Sequence, residues 1–216
     1  MFPDLTRDDV FRLETRRLWL RWPRHADCAA ILRLAGDKRV ADMTASLPHP
    51  YPADEATRFV FEARKANALG RALRLAITPK AKPNELIGMV GIDAPVDDEG
   101  EPFLGYWLGA PHWGRSIATE AARALVDALF AYTGESRLAA SARVDNAASR
   151  RVLEKCGFVQ AGSREKEFPA RGGVFEVLDL RLDRAAWRRL KPTWSEGAPL
   201  PRRKAKPRRP ELAATP

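Results

Sequence analysis

Gly105-Tyr-Trp-Leu-Gly-Ala-Pro-His-Trp-Gly-Arg-Ser-Ile-Ala-Thr-Glu120 decides how this 216-residue chain is read. Phe103–Leu108 reads as a strand, Gly109, Pro111 and Gly114 break it in a tight turn, and a helical period begins near Ile117. Ile117, Ala121, Ala124, Leu125 and Ala128 then recur at the spacing of one helix face, which ends near Gly134. The first N–H groups of any helix lack partners within it, and the helix dipole places partial positive charge there. A diphosphate can accept several of those groups at once if no bulky side chain blocks the backbone. Gly114 and Ala118 keep that approach open, and Arg115 adds a charge-assisted contact. An ordinary strand–helix turn also uses glycine and alanine, so the turn alone does not separate an anion site from a plain connection.

Upstream the chain is rich in strands. Ala72–Ile77, Leu86–Ile92 and Phe103–Leu108 read as an antiparallel meander. One connection holds Pro79, Pro83 and Asn84, and the other is acidic, Asp97-Asp98-Glu99-Gly100. Residues 13–22 set Leu18, Leu20 and Trp22 against Arg17, Trp19 and Arg21, the alternation of a single strand. A short helix is expected over Asp27–Leu34, with Ile31 and Leu34 inward. After the proline-rich turn from Pro48 to Pro52, Asp54 and Glu55 suit the positive end of a helix. Its stripe is Phe59, Val60 and Ala63, and Gly70 is its stop. Downstream, Leu138–Ala142 is a strand, and Asn146 to Cys156 is a short helix closed by Gly157. Phe158–Ser163 and Val174–Leu182 are the last two strands. The fold class is therefore α/β (α+β), a mixed, mostly antiparallel, twisted sheet flanked by helices.

Composition narrows the function classes. Hydrophobic residues at 45% and charged ones at 30% describe an ordinary globular protein. No apolar run approaches the roughly 20 residues of a membrane helix, so no membrane contact is expected. Met1 to Phe11 carries Asp4, Asp8 and Asp9 and no apolar core of a secretory signal, and two cysteines make no disulfide framework. A cytoplasmic location is the expectation. The net charge of +9 suggests nucleic acid until it is located. Nine basic residues lie between Arg188 and Pro216, offset by Glu196 and Glu211, so all but about two of the net charges belong to this end. The same stretch is rich in proline and poor in large apolar residues after Trp194, which predicts a disordered tail that Trp194 pins at its start. The organisation read from this is an extension over 1–12, a folded domain over 13–187 and a basic tail over 188–216. His25, His49 and His112 are scattered, and no metal site is expected. Cys156 reads as core packing, and no Gly-x-x-x-x-Gly-Lys run supports a kinase or ATPase.

A second element agrees with the phosphate reading of the turn. Val144-Asp145-Asn146-Ala-Ala-Ser149 opens a short helix just after a strand. Asn146 suits an N-cap, which accounts for the residue type by itself, and its amide could also meet an amide-bearing arm such as pantetheine. With these pieces in hand the chain resembles the GNAT superfamily of N-acetyltransferases, and within it the ribosomal-protein-alanine acetyltransferase group. Leu13-Glu-Thr-Arg-Arg-Leu18 is similar to that group's first strand, and Leu47-Pro-His-Pro-Tyr51 to the loop before its second helix. Trp113-Gly-Arg-Ser-Ile-Ala-Thr-Glu-Ala121 is similar to its acetyl-CoA turn, and Asn146-Ala-Ala-Ser-Arg-Arg-Val-Leu-Glu-Lys-Cys-Gly-Phe158 to its late helix. The match runs over roughly 13–183 in order and spacing.

The resemblance implies a GNAT fold with splayed central strands, acetyl-CoA as co-substrate and no metal. It places Trp107 and Leu108 where backbone groups pair with pantetheine. Trp113, Gly114, Arg115, Ser116, Ile117, Ala118 and Thr119 would hold the diphosphate, and Asn146 the pantetheine arm. Ser149 falls where a hydroxyl protonates the departing thiolate, although a polar residue in a first helical turn needs no such role. The N–H near Leu108 would stabilise the oxyanion. Three departures stand out. Ser116 replaces the family's usual glycine, at about 1 kcal/mol if its φ is positive. Leu153 stands where many members carry a tyrosine acid. Phe103 aligns with the usual strand carboxylate, while nearby Glu101 reads better as an exposed loop acid. The implied reaction is direct attack of an amine on the thioester in a ternary complex, on a small molecule or a protein N-terminus. Rival readings are a non-catalytic acyl-CoA-binding module and a ribosome- or RNA-associated protein acting through the tail. A monomer and a homodimer both fit.

Overall fold

The structure, a computed structural model, describes residues 1–95 and 100–194, the last four by their backbone. The acidic connection at Asp97-Asp98-Glu99, the packing of Trp194 and the basic tail beyond it lie outside the described residues. Strands β1 (Arg12–Glu14) and β2 (Leu18–Arg21) come first, followed by helices α1 (Cys28–Ala35), α2 (Lys38–Ala41) and α3 (Glu55–Ala68). The meander is β3 (Ala72–Pro79), β4 (Gly88–Asp93) and β5 (Phe103–Leu108), and α4 (Ile117–Tyr132) follows the decisive turn. The chain closes with β6 (Arg137–Arg143), α5 (Ala147–Lys155), β7 (Val159–Phe168), β8 (Gly173–Asp183) and α6 (Arg184–Trp194). One eight-stranded sheet runs in the order β1-β2-β3-β4-β5-β6-β8-β7. Every pairing is antiparallel except β5 with β6.

Strand alternation divides the buried residues between two faces. Leu73, Leu75, Ile77, Val90, Ile92, Leu104 and Leu108 pack with Leu125, Val126, Leu129 and Phe130 of α4 on one side. Ala76, Met89 and Trp107 pack with Ile31, Leu34, Val40 and Val60 of the first three helices on the other. Cys156 belongs to the first cluster with no exposure, as the sequence reading expected. Burial pushes its thiol up to about 12, which keeps it an uncharged core group. Phe2 and Phe11 also enter that cluster, so the first residues are part of the packed body.

Two expectations about the outer strands change. Residues 13–22 form a hairpin rather than one strand. The chain reverses at Thr15, whose N–H donates to Leu18 O at 3.0 Å while Leu18 N–H donates to Thr15 Oγ1 at 2.9 Å. The turn is also tied to α4, because Glu120 accepts from Thr15 Oγ1 (2.6 Å), Arg17 N–H (2.8 Å) and Arg17 Nε (2.7 Å). The region 163–173, read as a loop, is mostly strand. β7 continues to Phe168, paired with Gly173 of β8, and only Pro169–Arg171 turns. The continuation is carried by side-chain pairs across it, Arg164 with Asp179 at 2.8 Å and Phe168 edge-on to Phe175 at 5.1 Å. The first helical layer is anchored by an ion pair that is almost wholly buried. Arg21 meets Asp27 through two 2.8 Å bonds, and Asp27 also accepts from Arg24 N–H at 2.7 Å.

Burial of Glu120 would raise its carboxyl, but the bonds from Thr15 and Arg17 outweigh that and hold it below the usual 4.5. A depressed folded value contributes stability above the unfolded value and loses it as pH falls through the folded one. Glu120→Gln should therefore lower stability by about 1 kcal/mol near neutral pH, the low end for a charged bond because Arg17 is partly exposed. The gap to wild type should close as acid protonates the carboxyl, read from urea midpoints across an acid pH series. A gap that is constant with pH would overturn the assignment.

Candidate active site

The cleft between the two halves of the sheet is where the chemistry-bearing residues meet. It encloses about 1870 Å³ and is bounded by β5, the starts of α4 and α5, α2, the start of α3 and the end of β7. Its centre is a gap in the sheet. β5 meets β6 at a single matched pair, Phe103 with Ala139. Gly109 N–H donates to Ile87 O and Ala139 N–H to Pro102 O, each at 2.9 Å. Backbone groups alternate sides along a strand. Odd-numbered residues of β5 therefore pair with β4, and even-numbered ones turn toward β6. Past Phe103 there is no β6 ladder for them to join, so Tyr106 and Leu108 present their N–H groups to the gap.

This corrects the reading of Trp107. Its backbone is committed to β4; a Cβ built on Gly88 would lie 2.5 Å from Trp107 O. Its indole is buried against Met89 and the helices of that face. Tyr106, read from the sequence only as a strand residue, is the neighbour whose backbone N–H turns to the gap. Leu108 keeps its place, and its carbonyl accepts from Trp113 Nε1 at 2.7 Å, which folds the turn back onto the strand.

The turn leads into an open helix start. Gly114 has φ of 74°, and a Cβ there would meet nothing within 4 Å. Ser116 is the N-cap of α4 at φ 56° and ψ 18°, a left-handed conformation, and its hydroxyl makes no cap bond. The first intrahelical bond is Glu120 N–H to Ser116 O at 3.1 Å, so the N–H groups of Ile117, Ala118 and Thr119 lack helical acceptors. An N-cap serine ordinarily covers one of these donors. Here the left-handed backbone leaves them facing the cleft, together with the dipole's positive end and the exposed Arg115.

The start of α5 is finished differently. Asn146 Oδ1 accepts from Ser149 N–H at 3.0 Å, which caps the helix and leaves the two amide N–H donors for other use. Ser149 Oγ lies 2.9 Å from the Tyr106 hydroxyl, which also donates to Ser149 O at 3.1 Å. Burial raises the Tyr106 phenol well above its ordinary value of 10, only partly offset by Ser149, so it remains a proton donor. Tyr106 and Ser149 thus form one hydroxyl pair beside the gap. Leu153 is 1% exposed within the core and offers no proton.

The residues that the resemblance assigned to the cofactor line this one cleft: Trp107, Leu108, Trp113 to Thr119, Asn146 and Ser149. Glu101 does not. It bonds Arg181 at 2.7 Å and lies 3.7 Å from Arg137, away from the cleft. Phe103 does line it, and opposite Phe103 on β4 stands Asp93, held by Arg74 at 2.7 Å. Asp93 is a cleft carboxylate that the sequence reading missed, and strand register was the signal that could have found it. Between these pairs Gly91 faces Gly105. A Cβ on Gly105 would touch nothing within 4 Å, so the sheet has a bare trough there. Among the described residues no cluster of His, Cys, Asp and Glu could hold a metal ion, and no helix is long and apolar enough to cross a membrane.

The fold and the cleft together define an α/β protein of the acetyltransferase class. Residues 17–159 match the family model of the acetyltransferase (GNAT) domain, and the chain belongs to that family. It is 30% identical over 113 residues to an uncharacterized N-acetyltransferase, p20, of Bacillus licheniformis, covering 52% of this chain and 63% of that one. It is 35% identical over 91 residues to the ribosomal-protein-serine acetyltransferase of Escherichia coli, covering 40% of this chain and 49% of that one. The matches thus span less than two thirds of either relative. Among solved structures, a ribosomal L7/L12 alpha-N-protein acetyltransferase in complex with coenzyme A superposes with a TM-score of 0.70 at 20% identity. That likeness covers 80% of this chain and 98% of the other, and it speaks to the fold.

Ser116→Gly should raise stability by about 0.5 kcal/mol, because relief of roughly 1–2 kcal/mol of left-handed strain exceeds the added freedom of glycine in the unfolded chain. The urea midpoint reads this. No gain, or a loss, would show that the serine is not strained where it stands.

Proposed function

We propose that this chain is an acetyl-CoA-dependent N-acetyltransferase that acts on a primary amine, at a protein N-terminus or on a small molecule. The observation that carries the reading is the open edge of β5 lying in the same cleft as an uncapped helix start. The two offer an amide-bearing arm and a diphosphate their respective partners without rearrangement. The fit is specific at three points: the bare backbone at Gly114, the uncapped N–H groups of α4, and the free amide donors of Asn146. Bound there, acetyl-CoA would supply an acyl thioester.

The chain's own groups then divide the work. Ile117, Ala118 and Thr119 N–H groups and Arg115 hold the diphosphate, and Asn146 holds the arm. The N–H groups of Tyr106 and Leu108, already turned to the gap, stabilise negative charge on the carbonyl oxygen as the amine attacks. The Tyr106–Ser149 hydroxyl pair delivers a proton to the departing sulfur. The trough over Gly105 seats the amine, and Asp93, acting through water, takes its proton. Holding both reactants in one cleft supplies much of the rate. The likeness to a ribosomal-protein-serine acetyltransferase of Escherichia coli supports a protein N-terminus as acceptor.

Asn146 separates the cap from the cofactor contact. Asn146→Asp keeps the capping oxygen and loses the amide donors, so it should leave the unfolding midpoint near wild type and weaken coenzyme A binding about tenfold, roughly 1.4 kcal/mol. Isothermal titration with coenzyme A measures it; unchanged affinity would remove Asn146 from the site. Gly105→Leu fills the trough from the face opposite the gap-facing N–H groups. Coenzyme A affinity should hold within about threefold while thiol release with an amine and peptide panel falls at least about a hundredfold. Full turnover in that variant would displace the acceptor. Tight coenzyme A binding by the wild-type chain with no turnover on any acceptor would favour a non-catalytic binding module.

A further inference from the structure

Lys166 is an amine on the wall of this cleft that the proposed reaction does not use. It lies on β7 opposite Phe175, half-buried, and its Nζ stands 5.4 Å from the centre of the Phe103 ring. No ion pair among the described residues includes it, whereas the neighbouring Arg164 is held by Asp179 at 2.8 Å. Phe103 marks the closed end of the gap, where β5 and β6 part. Gly105 is two residues further along β5, about 7 Å by strand rise, and a Cβ on it would meet nothing within 4 Å. The flexible four-carbon stem of a lysine covers much of that distance by rotation.

We propose that Lys166 is itself an acceptor, acetylated by the chain that carries it. This rests on the acetyl-CoA reading of the cleft. The Nζ lone pair attacks the thioester carbonyl and an N–C bond forms. The C–S bond breaks with its electrons leaving on sulfur, and one proton passes from nitrogen to that sulfur through the Tyr106–Ser149 pair. An amine must be neutral to attack, and the surroundings favour this. Burial lowers the Lys166 amine below its usual 10.5, and Arg164 adds to the effect, against a smaller opposing pull from Asp179. The Phe103 ring favours the cation only weakly. Acetylation would remove from the acceptor end of the cleft a cation that no ion pair among the described residues holds.

The test is incubation of the full chain with labelled acetyl-CoA and no added amine, followed by peptide mass spectrometry. Lys166 should take the label at a rate independent of protein concentration. It should outpace Lys155, an exposed lysine also bordering the cleft, by at least about tenfold, because a held amine gains far more than that over a free one. The preference should disappear in urea, and Lys166→Arg, checked for folding by circular dichroism, should lose the labelled peptide. Coenzyme A binding is titrated in parallel. Binding without preferential labelling of Lys166 overturns this inference alone, and absence of binding overturns both it and the reading beneath it.

Discussion

Backbone groups buried in a sheet must find partners, and the divergence of β5 from β6 is where this chain leaves that requirement open. β5 is fully engaged with β4 through six matched pairs, and β6 with β8 through seven, yet the two strands share one. The sheet is in effect two sheets that touch at Phe103 and Ala139. A gap of this kind in the middle of a sheet persists only if something else holds the halves together. α4 does so. Its inner face packs with the first half through Leu125, Val126 and Leu129. Its C-terminal end is bound to the second half by Arg184, which donates to Phe130 O (2.6 Å), Thr133 O (2.7 Å) and Glu135 O (2.7 Å). Trp187 adds a 2.6 Å bond to Asp127 and a ring contact with Phe130. A guanidinium on the last carbonyls of a helix satisfies acceptors that would otherwise go unpaired and suits the dipole's negative end. The helix is thus satisfied at one end by protein and left open at the other.

That asymmetry organises the charges of the cleft. Most of the carboxylates around it are already matched: Asp93 with Arg74, Asp42 with Lys38 and Arg171, Glu55 with Arg58, Asp145 with Arg143. At the α4 start the open backbone N–H groups lie together with the exposed Arg115. Donors gathered in this way draw an anionic ligand toward that end of the cleft. His112, beside it, is held below its ordinary value by burial and by Arg115, so it adds little cationic charge to that end.

How much of this the sequence revealed follows from which physics is local. The strand–turn–helix at 103–132 was legible because period, turn residues and helix start all fall within one window, and the observed β5 and α4 match it closely. The Asn146 cap was legible for the same reason. The hairpin within 13–22 was not, because its turn is held by Glu120, more than a hundred residues away. The strand at 163–168 was hidden by charged residues, whose almost uniform exposure resembles a loop until Asp179 and Phe175 are placed opposite. Tyr106 and Asp93 escaped notice because their significance depends on register. Which side a strand residue's backbone faces, and what stands across from it, is fixed by pairing and not by residue type.

Ser116 shows how a departure from a family pattern can leave the shape of a turn intact. A glycine reaches left-handed backbone without strain, so the pattern's preference is conformational. The serine reaches the same conformation, at φ 56°, and the turn keeps its shape. What changes is the balance of terms: some strain is stored in the folded chain, and a hydroxyl with no cap bond is added at the mouth of the helix. In the proposed reading that hydroxyl would donate to the same diphosphate as the N–H groups. The strain and that donor would then sit on one residue, so that relieving the first would give up the second.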